Sequence, residues 1–208
     1  MPDWHRGLCV ITPLVTPASG IGRAGSRAIG LDGVVAQQEN YRKSGFVFAY
    51  NNIRYGGWVA PGVEATPTTV SLTEVSFDLI ARDDATVFPA PRPTFLYTWI
   101  AAPGHVGRAL IRDRRLVAWG VIRPCRTGRK IGPLIADDRA AAEEVFAALV
   151  GSAGGQVFLD VPQPNGAAVA LATAQGFAPV FETARMYSGP IRQVSLERVY
   201  GVTTFELG

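Results

Sequence analysis

Lysine is nearly absent from this chain. Lys43 and Lys130 are the only two among 20 basic residues, and the rest are arginine. With 17 acidic residues the net charge is +3, too slight an excess to point to nucleic acid. Cysteine is equally scarce. Cys9 and Cys125 have no CxxC spacing, which excludes a disulfide framework and implies a reduced, cytoplasmic setting. His5 and His105 are the only histidines, so a histidine-based metal site is not expected. No apolar run approaches the roughly 20 residues of a membrane span, and no membrane partner is expected. Pro, Gly and Arg interrupt the short apolar stretch at the N-terminus, which does not read as a signal peptide.

What is present is a core-forming composition. Of 208 residues 48% are hydrophobic and 18% charged, which suits one large domain or one and a half smaller ones. Residues 1–28 stand apart. They show neither a helical nor a sustained strand period, and Pro13, Pro17, Gly20, Gly22 and Gly25 break them repeatedly. Gly20-x-Gly22-x-x-Gly25 matches a dinucleotide fingerprint in letters only, since no suitable strand leads in. This segment is expected to be poorly ordered. It reads as foreign to the rest of the chain, as if the gene product began further upstream or the frame had shifted.

A unit then occurs twice. In the second copy, Val157–Val161 is a short apolar strand, Asn165 caps a helix bearing Ala168, Leu171, Ala172 and Gln175, Gly176 stops it, and a strand starts near Phe177. In the first copy, Ile29–Val34 reads as strand, Ala36–Ser44 as helix, Gly45 as stop and Phe46–Tyr55 as strand. Leu31-Asp32 parallels Leu159-Asp160. Arg54 lies as far beyond Phe46 as Arg185 lies beyond Phe177, with Tyr55 and Tyr187 close after them. These matches argue for an internal duplication.

The first copy has little patterned chain ahead of it, and the second has a domain's worth. Residues 29–55 therefore read as the end of one domain, 56–70 as a linker and 71–208 as a complete second domain. Leu72, Val75, Leu79 and Ile80 mark a short helix with Ser71 or Thr73 as cap. Thr94–Ala102 is a second, with Phe95, Trp99 and Ile100 inward. A hairpin turning at Asp113-Arg114-Arg115 comes next, then a central strand Lys130–Ala136. Asp137-Asp138 caps the helix Arg139–Val150, whose inner face carries Ala142, Val145, Phe146 and Leu149. Trp99 and Trp119 are expected in the core. The closing VYGVTTFELG is expected to pair antiparallel with strand 179–187.

The spacing N-x2-A-x2-L-x4-G-F at Asn165–Phe177 resembles the last helix and following strand of the GNAT acetyltransferase superfamily. The phrases GLDGVVAQQ, NYRKSGF, KIGPL, VFLDVP and GVTTFELG make the chain similar to two-domain bacterial members. The resemblance implies an α/β (α+β) fold, a mixed and mostly antiparallel sheet flanked by helices, with a remnant of a second domain. It also implies acetyl-CoA as co-substrate and a small-molecule amine as acceptor. Leu134, Ile135, Ala136, Arg139 and Asn165 would then hold the cofactor, Arg185 and Tyr187 would border the acceptor, and Tyr41, four residues before Gly45, would protonate the departing thiolate. The second copy has Ala172 at the Tyr41 position. The loop after Ala136 carries Asp137-Asp138 and no glycine where a pyrophosphate would lie. A non-catalytic module that has lost CoA binding is therefore the alternative. Exposed apolar surface left by the remnant could support a homodimer.

Overall fold

The computed structural model describes residues 28–60, 68–151, 154–191 and 193–205. The glycine-rich fingerprint lies outside them, as does any order in residues 1–27. The elements come in the anticipated sequence except for β3, which begins inside the stretch read as linker: β1 (Ile29–Val34), a 3-10 turn, α1 (Gln38–Lys43), β2 (Phe46–Val59), β3 (Thr69–Ser71), α2 (Phe77–Val87), α3 (Pro93–Ala101), β4 (Val106–Arg112), β5 (Arg115–Pro124), β6 (Arg129–Ala136), α4 (Arg139–Gly151), β7 (Gly155–Pro162), α5 (Gly166–Ala174), β8 (Ala178–Ser188) and β9 (Val199–Gly201).

Local chemistry explains most boundaries. Asn165 Oδ1 accepts from the Ala168 N–H at 3.0 Å, which caps α5. Gly176 ends that helix with φ +72°, and Gly45 ends α1 with φ +87°, a region that favours glycine. The β4–β5 hairpin turns on Asp113 and Arg114, both left-handed (φ 49° and 60°), the twist that suits a two-residue turn. Three expectations shift. Ser71 caps a 3-10 turn at Leu72–Glu74 rather than a helix, and α2 starts later. In α3 the fully buried side chain is Leu96, while Phe95, Trp99 and Ile100 are only half-buried. Gly56–Val59, read as linker, continue β2.

One nine-stranded sheet runs β1-β8-β2-β7-β6-β5-β4-β3, with β9 pairing β6 off this path. Only the β6–β7 pair is parallel among the described pairings. β6 is buried along nearly its whole length because both sheet faces are covered. On one face α4 and α5 pack Val145, Phe146, Leu149 and Leu171 onto Ile131, Leu134 and Leu159. On the other, α2 and α3 bring Ile80, Val87 and Leu96 onto Trp119, Val121 and Ile135. Each such side chain contributes about 1.5–3 kcal/mol of burial. Trp119 is fully buried, with its Nε1–H donating to Asp83 at 2.8 Å.

The two copies of the repeated unit meet in mid-sheet. β2 lies between β7 and β8, and β8 lies between β1 and β2. In the β2–β8 ladder Asn52 faces Thr183, Asn51 faces Ala184, Ile53 faces Glu182, Arg54 faces Phe181 and Tyr50 faces Arg185. Exchanging the copies sends each pair onto another pair of the same ladder, so the register has a local two-fold relation about Asn52 and Thr183.

Candidate functional site

The two-fold relation places a reciprocal pair of ion pairs on the α2/α3 face of the sheet. Arg54, from the first copy, donates through Nε (2.6 Å) and Nη2 (3.0 Å) to Asp160 of the second. Arg185, from the second copy, donates through Nη1 (2.9 Å) to Asp32 of the first. Lys130 joins Asp160, and Asn52 Nδ2 donates to Asp32 at 2.6 Å. Both carboxylates are wholly buried. Burial pushes the Asp32 carboxyl above its ordinary value, against the pull of Arg185 and Asn52. Burial likewise pushes the Tyr50 hydroxyl up to about 12, with Arg185 working the other way, so it remains a donor at neutral pH. Sequence reasoning finds the matching Leu-Asp pairs and arginines. It misses that each arginine serves the other copy's aspartate, because only strand exchange brings them together.

The second feature is the divergence of β6 and β7. They pair in parallel only from Arg129–Val157 to Ile131–Leu159, then separate as anticipated. The gap does not stay open. β9 enters it, placing Gly201 opposite Leu134 and Val199 opposite Ile135, and the Val202 N–H donates to the Asp160 carbonyl at 2.9 Å. Two glycines permit the approach. A Cβ on Gly132 would meet the Thr203 and Val202 carbonyl oxygens at 2.5 and 2.6 Å, and one on Gly201 would meet Leu159 at 2.6 Å. This corrects the expectation that the closing segment pairs with strand 179–187. Both edges of β8 are taken by β1 and β2, whereas β6 offers a free edge past Ile131.

The five residues expected to hold acetyl-CoA are engaged within the chain or stand apart from the slot. Leu134 and Ile135 face β9, and Ala136 is fully buried opposite Ala118. Asn165 donates through Nδ2 to the carbonyls of Leu196 (3.1 Å), Glu197 (3.0 Å) and Val199 (2.9 Å), tying the tail down. Arg139 is exposed and pairs with Glu143 at 2.7 Å. At the start of α4, Asp138 Oδ1 accepts from the Ala141 N–H at 2.8 Å, and Asp137 pairs with Arg198 at 2.9 Å. A pantetheine arm would need the strand edge that β9 holds. A pyrophosphate would need helix-terminal N–H groups where two carboxylates lie. The residues at this slot do not fit acetyl-CoA as the chain is folded.

Arg185 and Tyr187 both line a cleft beside this slot. Tyr50, Phe88, Pro89 and Arg92 line it with them. Tyr41 is not among its lining residues. It is half-buried on α1, its ring 6.1 Å from that of Phe46 and packed where Gly33 leaves room. Glu182 is exposed and, by strand alternation, points to the opposite face from Thr183 and Arg185. Cys125 Sγ lies 3.0 Å from the Thr127 carbonyl oxygen. Among the described residues no group of three or more His, Cys, Asp or Glu is placed to hold a metal ion. No helix there is long and apolar enough to cross a membrane.

Known proteins place this architecture. A Pyrococcus horikoshii protein provisionally assigned as an acetyltransferase superposes with a TM-score of 0.73 at 23% identity, over 90% of this chain and 62% of that one. A GCN5-related N-acetyltransferase of Sphaerobacter thermophilus gives a TM-score of 0.52 at 13% identity, over 80% and 61%. At these identities the likeness is one of fold. The holothin acyltransferase of Pseudoalteromonas sp. (strain SANK 73390) is 29% identical over 184 residues, 88% of this chain and 63% of that protein. The chain thus spans less than two thirds of each of these relatives. The Acetyltransferase (GNAT) domain model matches residues 80–201, more than half of the chain, and the protein belongs to the GNAT acetyltransferase family.

Proposed function

We propose that the protein acts in acyl transfer from acetyl-CoA to a small-molecule amine, and that residues 69–205 form its acceptor-side and scaffolding half. Family membership and the likeness to an acyltransferase support the reaction class. One observation carries the division of labour: β9 sits in the divergence of β6 and β7, so the complete fold closes its own cofactor slot.

On this reading β1, α1 and β2 are the closing part of a sibling fold, and acetyl-CoA is held on the sibling side. The reciprocal Arg54–Asp160 and Arg185–Asp32 pairs and the two-fold ladder support that relation. Tyr41 is then the candidate proton donor of the sibling. A soluble, cytoplasmic protein with an amine acceptor is part of the same proposal.

Amide hydrogen exchange with and without acetyl-CoA tests the closed slot. Exchange at Leu134–Ala136 and Val199–Gly201 should not respond to the cofactor. A saturable change confined to those amides would overturn it. Incubating the native protein with acetyl-CoA and a panel of primary amines tests the reaction itself; absence of any N-acyl product across the panel counts against it.

A further inference from the structure

The cleft at Arg185 has a chemistry that the closed slot does not explain. Its lining side chains include two arginines, two tyrosines, Phe88 and Thr203, and no carboxylate. Arg185 is only 6% exposed. Its Nη1 goes to Asp32, yet its buried Nε has no hydrogen-bond partner. Arg92 repeats the pattern. Its Nε and Nη2 bind Asp84 at 2.8 Å each, Nη2 also reaches Thr203 at 2.8 Å, and its buried Nη1 is unpartnered. Orphaned buried donors are costly, about 1–3 kcal/mol each, and the two arginines that carry these both line the cleft.

The two-fold relation says what shape fits. At the equivalent arginine, Arg54, the chain's own Phe205 ring lies 4.7 Å from the guanidinium, beside Phe181. At Arg185 the counterpart of Phe181 is Tyr50, which faces it on the ladder. A phenol thus replaces a phenyl where the cleft opens. Phe88 stacks 3.7 Å from the Arg92 guanidinium, and Tyr187 lies 5.6 Å from that of Arg185. Aliphatic side chains such as Val87, Ile135, Leu196 and Val202 complete the lining, and the hydrogen-bonding side chains are mostly donors.

We propose that this cleft binds a planar small molecule carrying a carboxylate, with the carboxylate held by the Arg185 and Arg92 guanidinium groups and the Tyr50 hydroxyl and the ring lying against Phe88 and Tyr187. As the substrate class of the acceptor side, this rests on the function proposed above; as a binding site it does not. Charge-assisted hydrogen bonds to a carboxylate are roughly twice as strong as those to a neutral carbonyl, which sets the order of ligands.

Titration of the 208-residue chain with benzoate, benzamide and benzylamine, monitored by NMR without acetyl-CoA, tests it. Benzoate should perturb the residues lining the cleft, bind about tenfold tighter than benzamide, and outcompete benzylamine. Arg92→Gln should weaken benzoate at least tenfold. Because Arg92 also holds Asp84, Tyr50→Phe and Phe88→Leu serve as milder variants, each expected to weaken benzoate several-fold. Benzoate that leaves the cleft unperturbed, or binds equally to all variants that fold, overturns the proposal. No cofactor is present, so this result is independent of whether acetyl-CoA binds or any amine is acylated.

Discussion

Asn52 and Thr183 occupy equivalent places in the two related segments, and they face each other across the β2–β8 ladder. The two reciprocal ion pairs on this side of the sheet are arranged about that point. Arg54 reaches Asp160 in one direction and Arg185 reaches Asp32 in the other.

The two ion pairs should differ in worth despite their symmetry. Arg185→Met leaves Asp32 buried without its cation, a loss of about 3–5 kcal/mol in urea unfolding. Asp32→Asn in the same chain should restore much of it. Arg54→Met should cost less, because Lys130 still pairs with Asp160. Equal losses for the two arginine variants would contradict this account.

Asn165 serves two masters, and substitutions separate them. Asn165→Ala removes the α5 cap and the amide donor shared among three tail carbonyls, at about 2–4 kcal/mol. Asn165→Asp keeps the cap but turns a carboxylate oxygen toward three carbonyl oxygens. Its helix content by circular dichroism should hold while the amides of Val199–Gly201 exchange faster. Unchanged exchange there would show that the tail is held elsewhere.

Gly132→Ala should drive β9 from its seat. The new methyl would overlap the Val202 and Thr203 carbonyls, which are backbone and cannot rotate away. The expected outcome is about 1–3 kcal/mol of destabilisation, with faster exchange concentrated in Val199–Gly201. A change spread evenly over the sheet would argue against a local clash.

Acid should weaken the fold through His105. Its ring lies edge-on to Trp99, centroids 4.9 Å apart, and burial lowers its pKa below 6.5, with Arg123 acting in the same sense. A lowered histidine contributes stability above its unfolded pKa, and loses it as pH falls through the folded value. Melting temperature should therefore drop from pH 7 downward past 6.5. His105→Gln should flatten that part of the profile. An unchanged slope in the variant would remove His105 as the cause.

Much of this protein is legible in its residues alone. Gly45 and Gly176 mark helix ends because a positive φ costs glycine little. Asn165 announces a cap. The apolar run of β6 and the Ala142/Val145/Phe146/Leu149 face of α4 derive from period alone. These are local rules, written into neighbouring residues. The closing segment misleads because its alternating pattern would suit an edge of either β6 or β8. What decides is that β1 and β2 already hold both sides of β8, a fact of strand order and not of sequence. The partners of Arg54 and Arg185 are hidden for the same reason: each lies across an exchange of strands between two copies. Hydrophobic period fixes what a segment becomes; which vacant edge it finds, and which buried charge it must neutralise, depend on everything else being in place.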